Sequence, residues 1–263
     1  MQRRQLLSLL ALSSAVQAST PTGHYADIRG QRLYYETHGN GRPLLVLHGA
    51  VAASEVFGLN LPVLAGSCRV IAPHLQGHGF TPDIARPLRF EDLADDVAAL
   101  ARHLGLEQVD VLGYALGGGV ALQLAIRHPA LVRRLVVASQ PCRRSAWLPQ
   151  TLADFDAITA QASKLARSPL AERYPQIDWA VQLRKLRELL ARDYDWSTNV
   201  AALKARTLLV FADGDALQPE HMVEFHRLLG SASQWAVLPG TTQHNLLATD
   251  AVARLALPFL DAA

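Results

Sequence analysis

The sequence predicts an α/β protein: a doubly wound, mostly parallel eight-stranded sheet that opens with an antiparallel hairpin and is interrupted by a helical lid. Three observations predict it. Short continuous apolar runs recur through the 263 residues, as strands covered on both faces require. Helical patterns separate them, so successive strands are joined by crossovers. The alternation then lapses between about 140 and 203, where helical patterns follow one another with no strand between.

Residues 1–18 stand apart. Arg3 and Arg4 form a basic start, residues 6–16 a short apolar run, and Val16-Gln17-Ala18 a small-residue cleavage point. This predicts a secretory signal peptide and a secreted or periplasmic protein, with a buried N-terminal helix as the alternative. Arg3-Arg4 followed by Gln5-Leu6-Leu7 leaves the general and twin-arginine export routes both open. The run is too short to cross a bilayer, and no other stretch reaches that length.

Residues 19–263 read as one domain. Tyr25 to Ile28 and Leu33 to Thr37 alternate in polarity and join through Arg29-Gly30-Gln31, which predicts the hairpin. After Gly39-Asn40-Gly41 come the buried-strand runs PLLVLHG at 43, RVIAPH at 69, VDVLGY at 109, RLVVAS at 134, TLLVFAD at 207 and WAVLPG at 235. FEDLADDVAALARHLGL predicts a helix with acids in its first turn and Gly105 at its end; LGGGVALQLAIRHP predicts another, stopped by Pro129. Two amphipathic stretches, FDAITAQASKLARS and DWAVQLRKLRELLARDY, together with Trp147, Trp179 and Trp196, make up the lid. Ordinary surface helices are the alternative for either stretch, and LRKLRELLAR reads as a solvated lid face rather than a basic interaction helix.

Charge and cysteines exclude several classes. Without Arg3 and Arg4, Lys+Arg falls from 25 to 23 against 23 Asp+Glu, so the remaining chain is formally neutral and nucleic acid is not its partner. Cys68 begins one parallel strand and Cys142 follows the end of another. Five residues at about 3.3 Å each separate them by roughly 16 Å, beyond the ~7 Å limit for a disulfide, so both are expected to be free thiols.

Chemistry concentrates at four places. Gly113-Tyr114-Ala115-Leu116-Gly117 lies between a strand and a helix, the setting of a nucleophile elbow, and its glycines permit a sharp turn. No G-x-G-x-x-G follows, so a dinucleotide site is excluded. Leu47-His48-Gly49-Ala50 follows the first parallel strand, Ala212-Asp213-Gly214-Asp215 a later one, and His244 sits in LPGTTQHNLL after the last.

In these motifs and their order the chain resembles the α/β-hydrolase fold family, over roughly residues 23–260. The resemblance implies a nucleophile position at Ala115, a histidine base at His244 and an acid at Asp215, whose spacing to Pro219 fits the family better than Asp213 does. It implies an oxyanion hole of the Ala50 and Leu116 amides and a substrate pocket touched by His48, Gly49, Tyr114 and Trp147. It requires no cofactor. HLQGHGFTPD at 74 is close to the family's Gly-His-Gly turn, but His74 replaces the usual Asp, which puts the capping of that turn in doubt. His74 and His78 suggest a metal only weakly, because no third ligand has recognisable spacing.

Where the family carries Ser, or less often Cys or Asp, this sequence has Ala115, which holds no attacking atom. Either a serine has been exchanged for alanine, or a natural relative has lost covalent catalysis. The first is preferred, because Asp215, His244 and the oxyanion loop are all kept. The expected substrate is then a small apolar ester, lactone or amide; a ligand-binding relative is the alternative, and direct use of water by His244 a third possibility.

Overall fold

The computed structural model describes residues 23–262, so the signal peptide read at 1–18 lies outside the described residues. All eight expected strands form: β1 (His24–Ile28), β2 (Gln31–His38), β3 (Arg42–Leu47), β4 (Cys68–Pro73), β5 (Val109–Tyr114), β6 (Val132–Ala138), β7 (Arg206–Gly214) and β8 (Ser233–Thr242). They make one sheet in the order β1-β2-β4-β3-β5-β6-β7-β8. β1 and β2 form the antiparallel hairpin, β2 also runs antiparallel to β4, and the remaining pairs are parallel.

Side-chain alternation along the buried strands divides the interior into two layers. Leu45, Leu47 and Val111 join one core, while Leu44, Val46 and Leu112 join the other. The second layer is completed by α1 (Asn60–Ala65) and by the C-terminal helix, through Leu64, Val252, Ala256 and Phe259. The first receives α2 (Phe90–His103) and α3 (Leu116–Arg127), through Phe90, Leu93, Val97, Val120 and Leu124. Both follow their sequence signals: α2 has Glu91 and Asp92 in its first turn, and α3 stops before Pro129.

Between β6 and β7 come α4 (Pro149–Asp156), α5 (Ala162–Leu165), α6 (Pro169–Arg173), α7 (Trp179–Ala191) and α8 (Ser197–Ala201). FDAITAQASKLARS is not one helix but the end of α4, a 3-10 turn and α5. Its apolar stripe survives the break, since Phe155, Ile158, Ala162 and Leu165 all pack on the core. The longest lid helix, α7, is capped by Asp178, which accepts from the amides of Ala180 and Val181 at 3.0 and 3.1 Å. Arg184 and Arg187 face solvent. Lys185 is buried and donates to Asp83 and to the carbonyls of Ile84 and Arg86, tying the lid to the loop after β4. Cys68 and Cys142 are buried free thiols, as the strand geometry requires.

Close packing of α3 on the sheet depends on one glycine. A Cβ at Gly117 would lie 2.0 Å from the Leu47 carbonyl oxygen and 2.4 Å from its carbon. Neither is a side chain that can move aside. Gly117→Ala is therefore expected to destabilise the fold by more than about 3 kcal/mol; a urea midpoint equal to that of the parent would contradict this packing.

Candidate active site

Crossovers leave the C-terminal ends of β3, β5, β6, β7 and β8 at one edge of the sheet, where ligands bind in open α/β folds. The turn after β5 is the sharpest. Ala115 has φ 49° and ψ −118°, a region that residues with a Cβ rarely occupy. Its amide donates to the Ala138 carbonyl on β6 at 2.9 Å, and its carbonyl accepts from Gly118 and Gly119 at 2.8 and 3.2 Å. Strand, apex and helix are thus locked within four residues, with the Ala115 side chain only partly covered.

The β3 loop lies directly against this apex. A Cβ at Gly49 would be 3.2 Å from the Tyr114 ring and 3.5 Å from the Ala115 Cβ. His48 is fully buried: its Nδ1 bonds the Gly49 carbonyl at 2.8 Å, while its Nε2 accepts from the Leu75 amide at 3.0 Å. That pattern fixes the neutral Nδ1–H tautomer, and burial, reinforced by His78 and His74, holds its pKa far below the ordinary range. Its ring therefore shapes the loop and offers no polar atom to a substrate. The amides of Ala50 and Leu116 have no hydrogen-bond partner among the described residues.

The two acids at the end of β7 have different partners. Asp213 is exposed and accepts from the Gly240 and Thr241 amides at 2.8 and 3.0 Å, which pins the end of β7 to the end of β8. Those amides, Gly240 first, lower its pKa. Asp215 is buried. Its Oδ2 accepts from the Ser139 hydroxyl at 2.7 Å and the Ala212 amide at 3.1 Å, and its Oδ1 from the Ala216 amide at 2.8 Å. Burial raises its pKa despite these donors. Asp213 thus fastens the turn, while Asp215 is the buried acid at the strand ends.

His244 lies in a 3-10 turn, Gln243–Asn245, closed by a capping box in which Asn245 Oδ1 accepts from the Thr242 amide at 2.6 Å. The Tyr114 hydroxyl donates to the Gln243 carbonyl at 2.5 Å, so the residue before the apex is bonded to the residue before the histidine. Desolvation lowers the His244 pKa, while Asp154 on α4 and then Asp215 pull it upward. The exposed ring makes no hydrogen bond to another described residue; the expected bond to Asp215 is not formed in this structure.

The remaining predicted contacts are structural. Trp147 is buried, with its ring against Phe155 and its Nε1 donating to the Tyr194 hydroxyl at 3.1 Å. It sits at the base of the lid, where the Leu148 amide bonds the Ala216 carbonyl and the Gln218 amide bonds the Ala146 carbonyl, both at 2.9 Å. The Tyr114 hydroxyl is likewise occupied by Gln243. A cleft of about 480 Å³ lies within the lid among Ala162, Ala166, Pro175, Ile177 and Trp179, not over Ala115.

His74 resolves the doubt about its turn. Its Nδ1 accepts from the Phe80 amide at 3.0 Å and its carbonyl from the Thr81 hydroxyl at 2.7 Å, so an imidazole caps where an Asp is usual. Its Nε2 lies 3.0 Å from the Ser54 hydroxyl. No cluster of three metal-ligating side chains occurs among the described residues.

Burial holds His74 and His78 neutral, each pushed down to about 4. In the unfolded chain both return to about 6.5 and bind protons first. Their contribution, on the order of 3 kcal/mol each, is complete above about pH 6.5 and is lost as the pH falls toward 4. Urea unfolding followed from pH 7.5 to 4 should show stability declining through that window; a level profile would contradict two buried neutral rings.

Residues 42–174 match the model of the alpha/beta hydrolase fold family, half of the chain. The chain belongs to the α/β-hydrolase fold family. Among curated relatives, 2-hydroxymuconate semialdehyde hydrolase of Pseudomonas sp. (strain CF600) is 39% identical over 128 residues, 47% of this chain and 45% of that protein. A soluble epoxide hydrolase of Corynebacterium sp. (strain C12) is 40% identical over 119 residues, 44% and 41% respectively. Each match spans less than half the relative's own length. The enol-lactonase of Burkholderia xenovorans LB400 shares the fold at a TM-score of 0.74 and 19% identity, over 91% of this chain and all of that one. The family match contains the Ala115 turn and the His48–Ala50 loop of this α/β-hydrolase-fold chain and ends before Asp215 and His244.

Two residues of the site escaped the sequence reading. Ser139 bonds Asp215, and Gln243 joins Tyr114 to Ser139 through its carbonyl and its side-chain amide. The available signal was a small polar residue directly after a buried parallel strand, at the edge where sites gather.

Proposed function

We propose that this hydrolase-fold chain is the scaffold of an exported enzyme that cleaves a small, uncharged carboxylic ester, lactone or amide, and that Ala115 stands where a serine belongs. With a serine at that apex, His244 would take the hydroxyl proton while the oxygen attacks the carbonyl. The Ala50 and Leu116 amides would hold the oxyanion, and Asp215 would stabilise the imidazolium. The leaving group would depart with the histidine's proton, and water, activated by the same histidine, would free the acyl group. Without the oxygen, only binding and oxyanion stabilisation remain.

The observation that carries this reading is the Ala115 apex, strained at φ 49° and bonded through Tyr114 to the histidine turn. Such strain costs about 1–3 kcal/mol and gathers at active sites and ligand clamps. Two of the similar proteins, a semialdehyde hydrolase and an enol-lactonase, support hydrolysis at a carbonyl. The test is Ala115→Ser assayed on short p-nitrophenyl esters.

A second reading, a natural relative that binds a ligand without turning it over, is favoured by one observation. His244 is not bonded to Asp215, whose oxygens already have three donors. Ligand-dependent thermal stabilisation with no product from either form would support it.

A further inference from the structure

We propose that Ser139 is a positioning residue for both the acid and the base, an assignment that rests on the reading of Asp215 and His244 given above. Three bonds leave Ser139 at once. Its amide donates to the Val210 carbonyl on β7 at 3.0 Å, its hydroxyl to Asp215 Oδ2 at 2.7 Å, and its carbonyl accepts from Gln243 Nε2 at 3.2 Å. One residue therefore holds the acid with its side chain and the histidine turn with its backbone.

The backbone is bent to allow this. Ser139 has φ 50° and no exposed surface, and it is not a glycine. In that conformation the residue turns away from the extended line of β6 within a single step. Ser139 and Ala115 follow neighbouring parallel strands, and both carry positive φ. The edge of the sheet thus has two bent residues side by side, one at the nucleophile position and one beneath the acid.

The hydroxyl also selects which carboxylate oxygen is free. A carboxylate offers about four acceptor sites, two per oxygen. Ser139 and the Ala212 amide fill Oδ2, and the Ala216 amide takes one site on Oδ1. The remaining site is on Oδ1, and it is the one left for the His244 ring. Because all three donors favour the charged form, they oppose the burial that raises the Asp215 pKa.

Two variants separate the hydroxyl from the bend. Ser139→Gly removes the hydroxyl and relaxes the positive φ; Ser139→Ala removes it and keeps the bend. Circular-dichroism melting should therefore find Ser139→Gly no less stable than Ser139→Ala. The deciding measurement uses the Ala115 chain, labelled with carboxyl-¹³C aspartate, the Asp215 signal being assigned with Asp215→Asn. Its titration midpoint should rise in both variants. In the Ala115→Ser background, Ser139→Gly should lower kcat about tenfold with KM unchanged, as loss of one hydrogen bond to a charged group implies. An Asp215 midpoint in Ser139→Gly equal to the parent's overturns the proposal. Should Ala115→Ser prove inactive, the hydrolase reading fails, while the titration still decides whether Ser139 holds the acid.

Discussion

Ala115→Ser is expected to convert a silent chain into an esterase, with a burst of p-nitrophenol close to one equivalent per chain and turnover up to about 10⁶-fold above the parent. The added oxygen needs little room, since the apex side chain is only partly covered and Gly49, in the loop against it, has no side chain. The posture is already set by the bonds of the apex to Ala138, Gly118 and Gly119. The His244 turn is already fastened to Tyr114. A folded Ala115→Ser protein, melting as the parent does yet no faster on any short ester, would remove the serine-exchange reading and leave the binding protein.

The second large effect separates the two acids. In the Ala115→Ser background, Asp215→Asn should cost about 10⁴-fold in kcat, the scale seen when the acid of such a triad is neutralised. Asp213→Asn should cost less than about tenfold, because its exposed carboxylate accepts from the Gly240 and Thr241 amides at the end of β8. The opposite order would move the acid to Asp213. The two variants are sound controls for each other, since they lie two residues apart at the end of one strand.

Much of this arrangement was legible in the chain. β3, β4, β5, β6 and β7 each carry a short apolar run because both faces of the sheet are covered there. The elbow was legible because Gly113 and Gly117 bracket it and α3 begins at once. Asp215 is buried against the Ser139 hydroxyl, whereas Asp213 fastens a turn, a difference of contacts that their shared local sequence does not record. The lid helix expected through 155–168 breaks because a three- and four-residue apolar spacing is satisfied by α-helical and 3-10 turns alike, so the stripe does not record the interruption. Ser139 was hidden for a different reason. Its role comes from β6 lying between β5 and β7, and nothing within five residues of it specifies that adjacency. His74 appeared to break a motif, yet an imidazole nitrogen accepts an amide proton as a carboxylate would.

The bend at residue 115 is imposed from outside: by a strand that ends, a helix that begins, and the carbonyl of a neighbouring strand. It does not consult the side chain it carries. Alanine is presented at the strand ends in the attitude any other small residue would take, so a single amino-acid change there alters the group on offer and leaves the backbone that offers it as it is.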